Sequence, residues 1–226
     1  MIAESGVPVA DAAQLYQAFI GNNPAEAIRV VERARAAGIE QKALFDALYA
    51  PALALLGGAW ASGSLDEMVF AQAAVVAEQV GSFVMPPPSP AGTGVGVVIG
   101  SMHRDLHSIA RTIIGTTLKE AGHKVTDIGA DARPTDFLER IEEGGARIVI
   151  VVAEMIETAR AVVRVRELLT GVGREDVVML VSGGPFAADK SLAREVGANG
   201  VILGAESALK LVARVARDLE ARGGEA

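Results

Sequence analysis

Short apolar runs rich in valine and isoleucine restrict most strongly what this chain folds into. They occupy residues 95–101, 124–128, 148–152, 177–182 and 200–203. A strand with one face in water alternates apolar and polar residues, whereas a parallel strand covered on both faces is apolar along most of its length. Helical patterns follow the runs, beginning near His107, Pro134, Ile156, Ala187 and Ala205. Five β/α repeats predict an α/β fold, a flavodoxin-like (Rossmann-type) five-stranded parallel sheet domain over 95–226.

The sequence before this region has the spacing of amphipathic helices instead. Pro24 opens the second of these helices, Pro51 is predicted to kink or restart the third, and Gly57-Gly58 is predicted to end it. Asp66 is a suitable N-cap for the fourth helix. The pattern predicts a bundle of four antiparallel helices, an N-terminal cap bundle over residues 1–84.

Residues 85–94, Met-Pro-Pro-Pro-Ser-Pro-Ala-Gly-Thr-Gly, join the two regions. Clustered prolines neither continue a helix nor donate to a sheet, so this segment is predicted to be an extended linker. Most of the aromatic residues precede it. The sequence therefore predicts two separately packed domains.

Charge and composition exclude several classes of function. A formal net charge of −7 argues against nucleic acid or an anionic membrane surface as a partner. The absence of cysteine excludes disulfides, thiolate zinc sites and cysteine nucleophiles, and leaves a metal to histidine or carboxylate ligands. There is no signal-like N-terminal segment and no run of about 18 apolar residues. We therefore expect a cytoplasmic protein without a membrane partner.

The tripeptide Asp105-Leu106-His107 follows the first predicted strand and offers an imidazole with its own carboxylate partner. A neutral histidine ligates a metal through one ring nitrogen, and a carboxylate on the other N–H fixes the tautomer and raises the basicity of the ligand. The same residues are also compatible with a helix cap and a solvated ring. Asp105, His107, Ala153 and Gly183-Gly184 all fall at the carboxyl ends of predicted strands, where doubly wound sheets bind ligands.

Four motifs are spread over nearly the whole chain. They are Gly57-x-x-Trp60-x-x-Gly63, Gly100-Ser101-Met102-His103-Arg104-Asp105-Leu106-His107-Ser108-Ile109-Ala110, Ser182-Gly183-Gly184-Pro185 and Gly197-Ala198-Asn199-Gly200. Together they resemble the corrinoid proteins of methyltransferase systems, a family that includes the cobalamin module of methionine synthase. The family's Asp-x-His-x-x-Gly motif matches at Asp105 and His107.

The resemblance implies a cobalamin site in which the lower base is displaced into a channel beside the sheet and His107 is the metal ligand. Asp105 would tune that ligand, and the missing Cβ atoms of Gly183 and Gly184 would let the backbone lie against the inserted nucleotide tail. The residues for which the resemblance implies cofactor contact are Trp60, Met68, Ser101, Met102, Arg104, Asp105, Leu106, His107, Ser108, Ile109, Ala153, Met155, Gly183 and Gly184.

The chain departs from the family pattern around this site. Ala110 stands for the closing glycine and Ser108 for the usual acidic residue. Ala153-Glu154-Met155 stands for Ser-x-Leu, which removes a hydroxyl that contacts the displaced base. Thr158 is the only candidate hydroxyl in this segment, so we expect a hydroxyl-supported relay to the histidine to be weakened.

Other interpretations of individual residues stay open. Gly183-Gly184 are compatible with a simple strand-to-helix turn. Trp60 and Met68 are compatible with the bundle core as well as with the upper corrin face, where Asp66-Glu67 replace apolar shielding residues. Arg104 is compatible with a surface charge or with contacts to propionamides or the nucleotide phosphate.

The resemblance implies a methyl carrier, a subunit without catalytic residues of its own. Its partners would be separate methyl-donor and methyl-acceptor methyltransferase subunits, with a reductive activation protein as a further candidate. One alternative is a cobalamin-responsive sensor, although the chain lacks a DNA-binding segment and the Trp-x-x-x-Glu-His pattern of cobalamin photoreceptors. Another is a degenerate, cofactor-free relative that acts through protein contacts, an alternative that Ala110 and Ala153 leave open.

Overall fold

The computed structural model describes residues 9–84, 92 and 94–223. The chain divides into two compact units, residues 1–88 and 89–226. The predicted linker over 85–94 lies outside the described residues except for Gly92 and Gly94, so its extended geometry stays a prediction.

The first unit is helical throughout its described elements. The helices are α1 (Val9–Ile20), α2 (Pro24–Ala36), α3 (Gln41–Leu44), a π-helical turn (Phe45–Tyr49), α4 (Ala50–Ala61) and α5 (Glu67–Val84). The side chain of Asn23 accepts the Glu26 N–H at 3.0 Å and so caps α2, and Asp66 accepts the Val69 N–H at 2.9 Å at the start of α5. Because α3, the π-helical turn and α4 are contiguous, they form one helix, and the predicted four-helix unit is confirmed for these residues.

The third helix of the bundle does not end at Gly57-Gly58, so that prediction is wrong. Both glycines are exposed within α4, and the helix continues to Ala61. A glycine costs about 1 kcal/mol relative to alanine in a helix interior. Packing of the buried side chains of the same helix, among them Leu53 and Leu56, offsets that cost. The chain leaves the helix at Gly63, whose φ of 70° favours glycine.

The same helix passes through Pro51 by means of one widened turn. The Ala50 N–H donates to the carbonyl oxygen of Phe45, five residues earlier. A π-type turn of this kind is a recognised source of local irregularity in a helix and accompanies the proline here. The expected kink or restart is therefore replaced by a continuous helix with a π-helical turn.

The segment Gln41–Trp60 is long and apolar enough to cross a membrane by length and composition alone. A core helix of a bundle passes the same test, and this helix packs as one, with Leu48 fully buried. The Tyr49 hydroxyl donates to the carbonyl oxygen of Ala77 on α5 at 2.9 Å. The Tyr49 ring also meets the Phe19 ring of α1 edge-on, with the centroids 6.3 Å apart.

The second unit is built on a five-stranded sheet. Its strands are β1 (Gly96–Ser101), β2 (Lys124–Asp127), β3 (Ile148–Val152), β4 (Val178–Ser182) and β5 (Gly200–Ile202). The strand order is β2-β1-β3-β4-β5, and every pairing is parallel. Val98 lies opposite Val149, and Val151 lies opposite Val181. This is the flavodoxin-like order, which confirms the predicted fold class.

Helices cover both faces of the sheet. One face carries α6 (Ile109–Glu120) and α12 (Ala205–Gly223); the other carries α7 (Pro134–Gly144), α8 (Ile156–Ala161), α9 (Val163–Gly171), α10 (Gly184–Ala188) and α11 (Lys190–Glu195). Successive strand side chains point to opposite faces, so Ile150 enters one core and Val151 the other. Burial on both faces explains why these strands are apolar without alternation.

The helix that was expected to begin near Ala187 begins earlier, at Gly184. Gly183 turns the chain with a φ of 124°, and Pro185 suits the first helical turn because it needs no intrahelical donor there. The helix breaks at Asp189, whose carboxylate caps α11 by accepting the Ser191 N–H at 2.8 Å. Two short helices thus replace the single predicted one.

Candidate functional site

The loop between β1 and α6 is tied to the sheet at both ends. The Met102 N–H donates to the carbonyl oxygen of Val152 at 2.8 Å, and Ser101 Oγ donates to the carbonyl oxygen of His107 at 2.8 Å. The Met102 side chain is buried in the core, so only its backbone borders the loop. The loop that carries Asp105 and His107 is therefore held against the carboxyl edge of the sheet.

Asp105 and His107 are in direct contact. Asp105 Oδ1 lies 2.7 Å from His107 Nδ1 and accepts the His107 backbone N–H at 3.2 Å. The Asp105 side chain is 0% exposed, whereas the His107 side chain is 46% exposed. A carboxylate that holds the proton on Nδ1 leaves the lone pair on Nε2. His107 Nε2 is thus the nitrogen that is suited to ligate a metal.

The second carboxylate oxygen of Asp105 extends the chain of polar contacts to β3 and α8. Asp105 Oδ2 accepts the backbone N–H of Glu154 at 2.6 Å and lies 2.8 Å from Thr158 Oγ1. Thr158 is buried, and its hydroxyl also lies 2.9 Å from the carbonyl oxygen of Met155. The expectation of a weakened relay is corrected by these contacts, because Thr158 supplies the hydroxyl from the first turn of α8.

Two opposing effects set the pKa of Asp105. Burial acts to raise this pKa, because it disfavours the charged form. The hydrogen bonds from the His107 ring, the Glu154 N–H, Thr158 and the His107 N–H stabilise the carboxylate and together outweigh burial, so the pKa is lowered. Asp105 is therefore ionised at neutral pH and acts as an acceptor only.

Asp131 braces the other side of the same loop. Its Oδ1 accepts the Arg104 N–H at 2.7 Å and lies 2.8 Å from His103 Nδ1, while its backbone N–H donates to the carbonyl oxygen of Asp105 at 3.2 Å. Arg104 and Asp131 have positive φ angles of 69° and 59°, which non-glycine residues seldom adopt. Sequence reasoning missed Asp131, although its position just after β2 places it at the same sheet edge.

Gly183 brings the ends of β3 and β4 into close approach. A Cβ atom at this position would lie 1.8 Å from the carbonyl oxygen of Ala153, and its φ of 124° is one that L side chains rarely adopt. Ala153 is fully buried, and its N–H donates to the carbonyl oxygen of Ser182 at 2.9 Å. Glycine is therefore required at position 183 for the backbone itself, which is consistent with the simple turn that the sequence left open.

Glu154 lies over the neighbouring Gly184. Glu154 Oε2 accepts the Gly184 N–H at 2.9 Å, and a Cβ atom on Gly184 would be 3.7 Å from the same oxygen. Burial raises the pKa of Glu154, and the nearby charge of Asp105 adds to that effect. Sequence reasoning named Glu154 only as a departure from a motif and did not foresee this contact.

The remaining candidate residues lie in or next to the β1–α6 loop, between β3 and α8, and in the first unit. Leu106 is 73% exposed beside His107, and Met155 is also exposed. Ser108 is the residue before α6 and makes no side-chain cap, and Ile109 is half-buried in the first turn. Trp60 and Met68 belong to the first unit, where Trp60 stacks on Phe70 with the ring centroids 4.6 Å apart and Met68 is exposed.

Comparison with known proteins identifies the family. The B12 binding domain model matches residues 95–213. Trimethylamine corrinoid protein 1 of Methanosarcina acetivorans is 32% identical over 195 residues, which are 84% of this chain and 88% of that protein. The chain belongs to the corrinoid protein family.

The fold of this corrinoid protein matches solved structures of similar proteins. The monomethylamine corrinoid protein of Methanosarcina barkeri superposes with a TM-score of 0.73 at 18% identity, over 91% of this chain and 98% of that one. The methanol:cobalamin methyltransferase complex MtaBC of the same organism matches with a TM-score of 0.51 at 18% identity, over 92% of this chain and 80% of that one. At these identities the likeness shows a shared fold.

The residues of the site fit a corrinoid. The macrocycle supplies four ligands to its cobalt, so the protein needs to supply only one, and a single imidazole backed by a buried carboxylate is such a donor. No group of three or more His, Cys, Asp or Glu side chains that could hold a metal ion occurs in the described part of the chain. His107 would hold the lower face of the cobalt, and Asp105 and Thr158 would orient the ring.

We expect Thr158→Val to lower the free energy of unfolding of the second unit by about 1 to 2 kcal/mol, because it removes a hydroxyl from a buried carboxylate while it preserves side-chain size. Thr158→Ser keeps the hydroxyl and should lose less than about 1 kcal/mol. Urea unfolding followed by amide hydrogen exchange in β3 measures both. A larger loss for Thr158→Ser than for Thr158→Val would show that the methyl group, and not the hydroxyl, matters.

Proposed function

We propose that this corrinoid protein is a methyl carrier in which His107 is the lower ligand of the cobalt. The corrinoid, when bound, supplies the metal that accepts and donates the methyl group. The observation that carries the proposal is the chain of contacts from His107 Nδ1 through the Asp105 carboxylate to the Thr158 hydroxyl. That chain orients an imidazole at the sheet edge where flavodoxin-like folds bind ligands.

The residues of the relay have separate tasks in this function. Asp105 holds the Nδ1 proton, so that Nε2 stays a base and a ligand. Thr158 and the Glu154 N–H fix the carboxylate and keep its pKa low. Asp131 fixes the backbone of the loop through Arg104 and Asp105. The protein thus positions one nitrogen and leaves the transfer chemistry to the cofactor.

The names of the similar proteins suggest the methyl donors to test first. They refer to trimethylamine, monomethylamine and methanol. All three are small one-carbon donors, which a carrier would meet only through a separate donor methyltransferase. The partners that we propose are therefore methyl-donor and methyl-acceptor methyltransferase subunits, with a reductive activation protein as a third, all in the cytoplasm.

The exposed apolar residues of the second unit support such partners. Leu106 beside the ligand and Met155, Ile156 and Leu203 at the same sheet edge are exposed. Apolar side chains grouped near a functional loop are a common feature of sites that bind ligands or other proteins. A cofactor-free relative is disfavoured because the relay is intact despite Ala153.

The ligand is tested by His107→Gly in the full chain reconstituted with aquocobalamin. Because the His107 side chain is 46% exposed, we expect the variant to fold like the wild type and its cobalt absorbance bands to shift. Added free imidazole should restore the wild-type bands by filling the space. The measurement is a visible absorbance spectrum at fixed pH.

The matched control is His103→Gly, since His103 lies in the same loop, is similarly exposed and contacts Asp131 instead. Its spectrum should be that of the wild type. Identical bands for wild type and His107→Gly would show that His107 does not ligate the cobalt, and wild-type protein that takes up no corrinoid, with or without a nucleotide tail, would refute the carrier function altogether.

A further inference from the structure

The contact between Glu154 and Gly184 has no part in the relay. The backbone N–H of Glu154 supports Asp105, but its side chain accepts the N–H of Gly184, the first residue of α10, at 2.9 Å. The two functions of this residue are therefore separable, because a side-chain truncation leaves the backbone donor in place.

The carboxylate covers one face of the glycine segment. A Cβ atom on Gly184 would lie 3.7 Å from Glu154 Oε2, which is an ordinary van der Waals contact. At the preceding residue, Gly183, a Cβ would overlap the carbonyl oxygen of Ala153 at 1.8 Å, so the β3 side of this segment is already filled by backbone. Gly184 is thus covered by the Glu154 side chain, which is able to rotate away. The Ala153 backbone beside Gly183 is fixed and is not able to move aside.

The resemblance to corrinoid proteins implies that the nucleotide tail of a cobalamin would lie against this glycine segment. We propose that Glu154 is a specificity-determining residue that disfavours corrinoids with a nucleotide tail, because its carboxyl group competes with the tail for the face and the N–H of Gly184. The inference rests on the proposed function. It goes further by assigning a role in corrinoid choice to a residue at which this chain departs from the family motif.

Competition between the tail and the Glu154 carboxyl group would cost the free energy of one hydrogen bond. A tail that lies on Gly184 must displace the Glu154 carboxyl group, and the hydrogen bond from the Gly184 N–H to that group is then lost. A corrinoid without a tail leaves that hydrogen bond intact. Loss of one such bond corresponds to about a tenfold change in a dissociation constant. The effect therefore appears in the ratio of two affinities rather than in either affinity alone.

The experiment uses the full chain and two probes, aquocobalamin and diaquocobinamide, which has the same corrin ring but no nucleotide. Absorbance titrations give a dissociation constant for each, and their ratio measures the preference for the tail. In Glu154→Ala we expect the preference for aquocobalamin to rise at least about tenfold. If Glu154→Ala does not fold, as judged by circular dichroism, Glu154→Ser serves as the truncation.

Two matched variants isolate the cause. Glu154→Gln keeps a carbonyl oxygen that is able to accept the Gly184 N–H, so its ratio should stay within about threefold of the wild type. Glu157→Ala removes an exposed carboxylate three residues away with the same change of charge, and its ratio should not change. These controls separate loss of the contact from loss of charge.

The outcomes are distinct. A ratio that is unchanged in Glu154→Ala, or one that falls because the carboxyl group favours the tail, overturns the proposal while cobalamin binding stands. Wild-type protein that binds neither probe overturns the proposed function and this inference with it. A rise in the ratio for Glu154→Ala, without one for Glu157→Ala, supports the role of Glu154.

Discussion

Gly183→Ala should lower the free energy of unfolding of the second unit by at least about 3 kcal/mol, the largest loss expected from a single methyl group in this protein. The new Cβ would lie 1.8 Å from the carbonyl oxygen of Ala153. The φ of 124° at this position adds strain of about 1 to 3 kcal/mol for a non-glycine residue. The atoms that the new Cβ would meet are backbone atoms of Ala153, so no flexible side chain is there to move aside.

Amide hydrogen exchange in β3 and β4 is the appropriate measurement. The single tryptophan, Trp60, belongs to the first unit, so its fluorescence would report the unfolding of the bundle. Two units need not unfold together, and a local probe avoids that ambiguity. Far-UV circular dichroism should show at the same time whether the variant folds.

Gly184→Ala is the control for this prediction. Its Cβ would be 3.7 Å from the nearest atom, Glu154 Oε2, which is ordinary contact. We expect the stability to stay within about 1 kcal/mol of the wild type. Comparable losses for Gly183→Ala and Gly184→Ala would contradict the close approach of β3 and β4 at Ala153.

The strands were predictable because burial on both faces leaves a direct trace in the sequence. The run at 148–152 is a strand over the same residues in the structure, and its two sets of side chains enter two cores. The end of the third helix was not predictable in this way. Gly57-Gly58 is a local stop signal, but packing of Leu53 and Leu56 overrides it, and propensity contains no information on packing.

The site was predictable where its residues are neighbours in sequence. Asp105 and His107 are two residues apart, so their contact followed from spacing alone. Thr158 and Asp131 meet the same loop from 53 and 27 residues away in sequence. Such partners become visible only when strand order places their loops together. Sequence reasoning listed Thr158 as the one hydroxyl of its segment, but it had no means of giving the distance to Asp105.

The sheet edge brings together rigid and adjustable parts. The backbone around Gly183 and the relay from His107 to Thr158 are each fixed by several contacts. The Glu154 side chain accepts the Gly184 N–H, and the charge of Asp105 acts on its pKa through space. A carrier needs a ligand that keeps its geometry, whereas selectivity requires a group whose contact differs between cofactors. In this protein the relay from His107 to Thr158 would meet the first requirement, and the Glu154 side chain would meet the second.

Asp105→Asn should weaken the ligation of cobalt by about 10- to 100-fold, the usual effect of losing a carboxylate behind a ligating imidazole. The side chain is buried and accepts from His107 Nδ1 and N on one oxygen and from Glu154 N and Thr158 Oγ1 on the other. An amide offers only one acceptor, so its NH₂ must face one of these pairs. If it faces His107, it donates to Nδ1 and moves the ring proton to Nε2, the nitrogen needed for the metal.

Asp105→Asn should also change how the stability of the apoprotein depends on acid pH. A carboxylate with a lowered pKa stabilises the folded state above its unfolded pKa of about 3.9, and that contribution is lost as the pH falls through the lower folded pKa. Asp105→Asn cannot titrate, so its stability should be lower at neutral pH and should fall less steeply with acid. Hydrogen exchange in β3 at several pH values measures both effects.

Asp131→Asn is the matched control, since it removes one charge from the same loop region while Asp105 and His107 keep their contact. It should leave the cobalt absorbance bands of bound aquocobalamin in place, because the amide oxygen of the variant is still able to accept the Arg104 N–H. Asp105→Asn should shift the bands toward those of His107→Gly. If Asp105→Asn gives wild-type bands and a wild-type acid profile, the buried carboxylate neither orients the imidazole nor stabilises the loop through its charge, and the relay has no part in ligation.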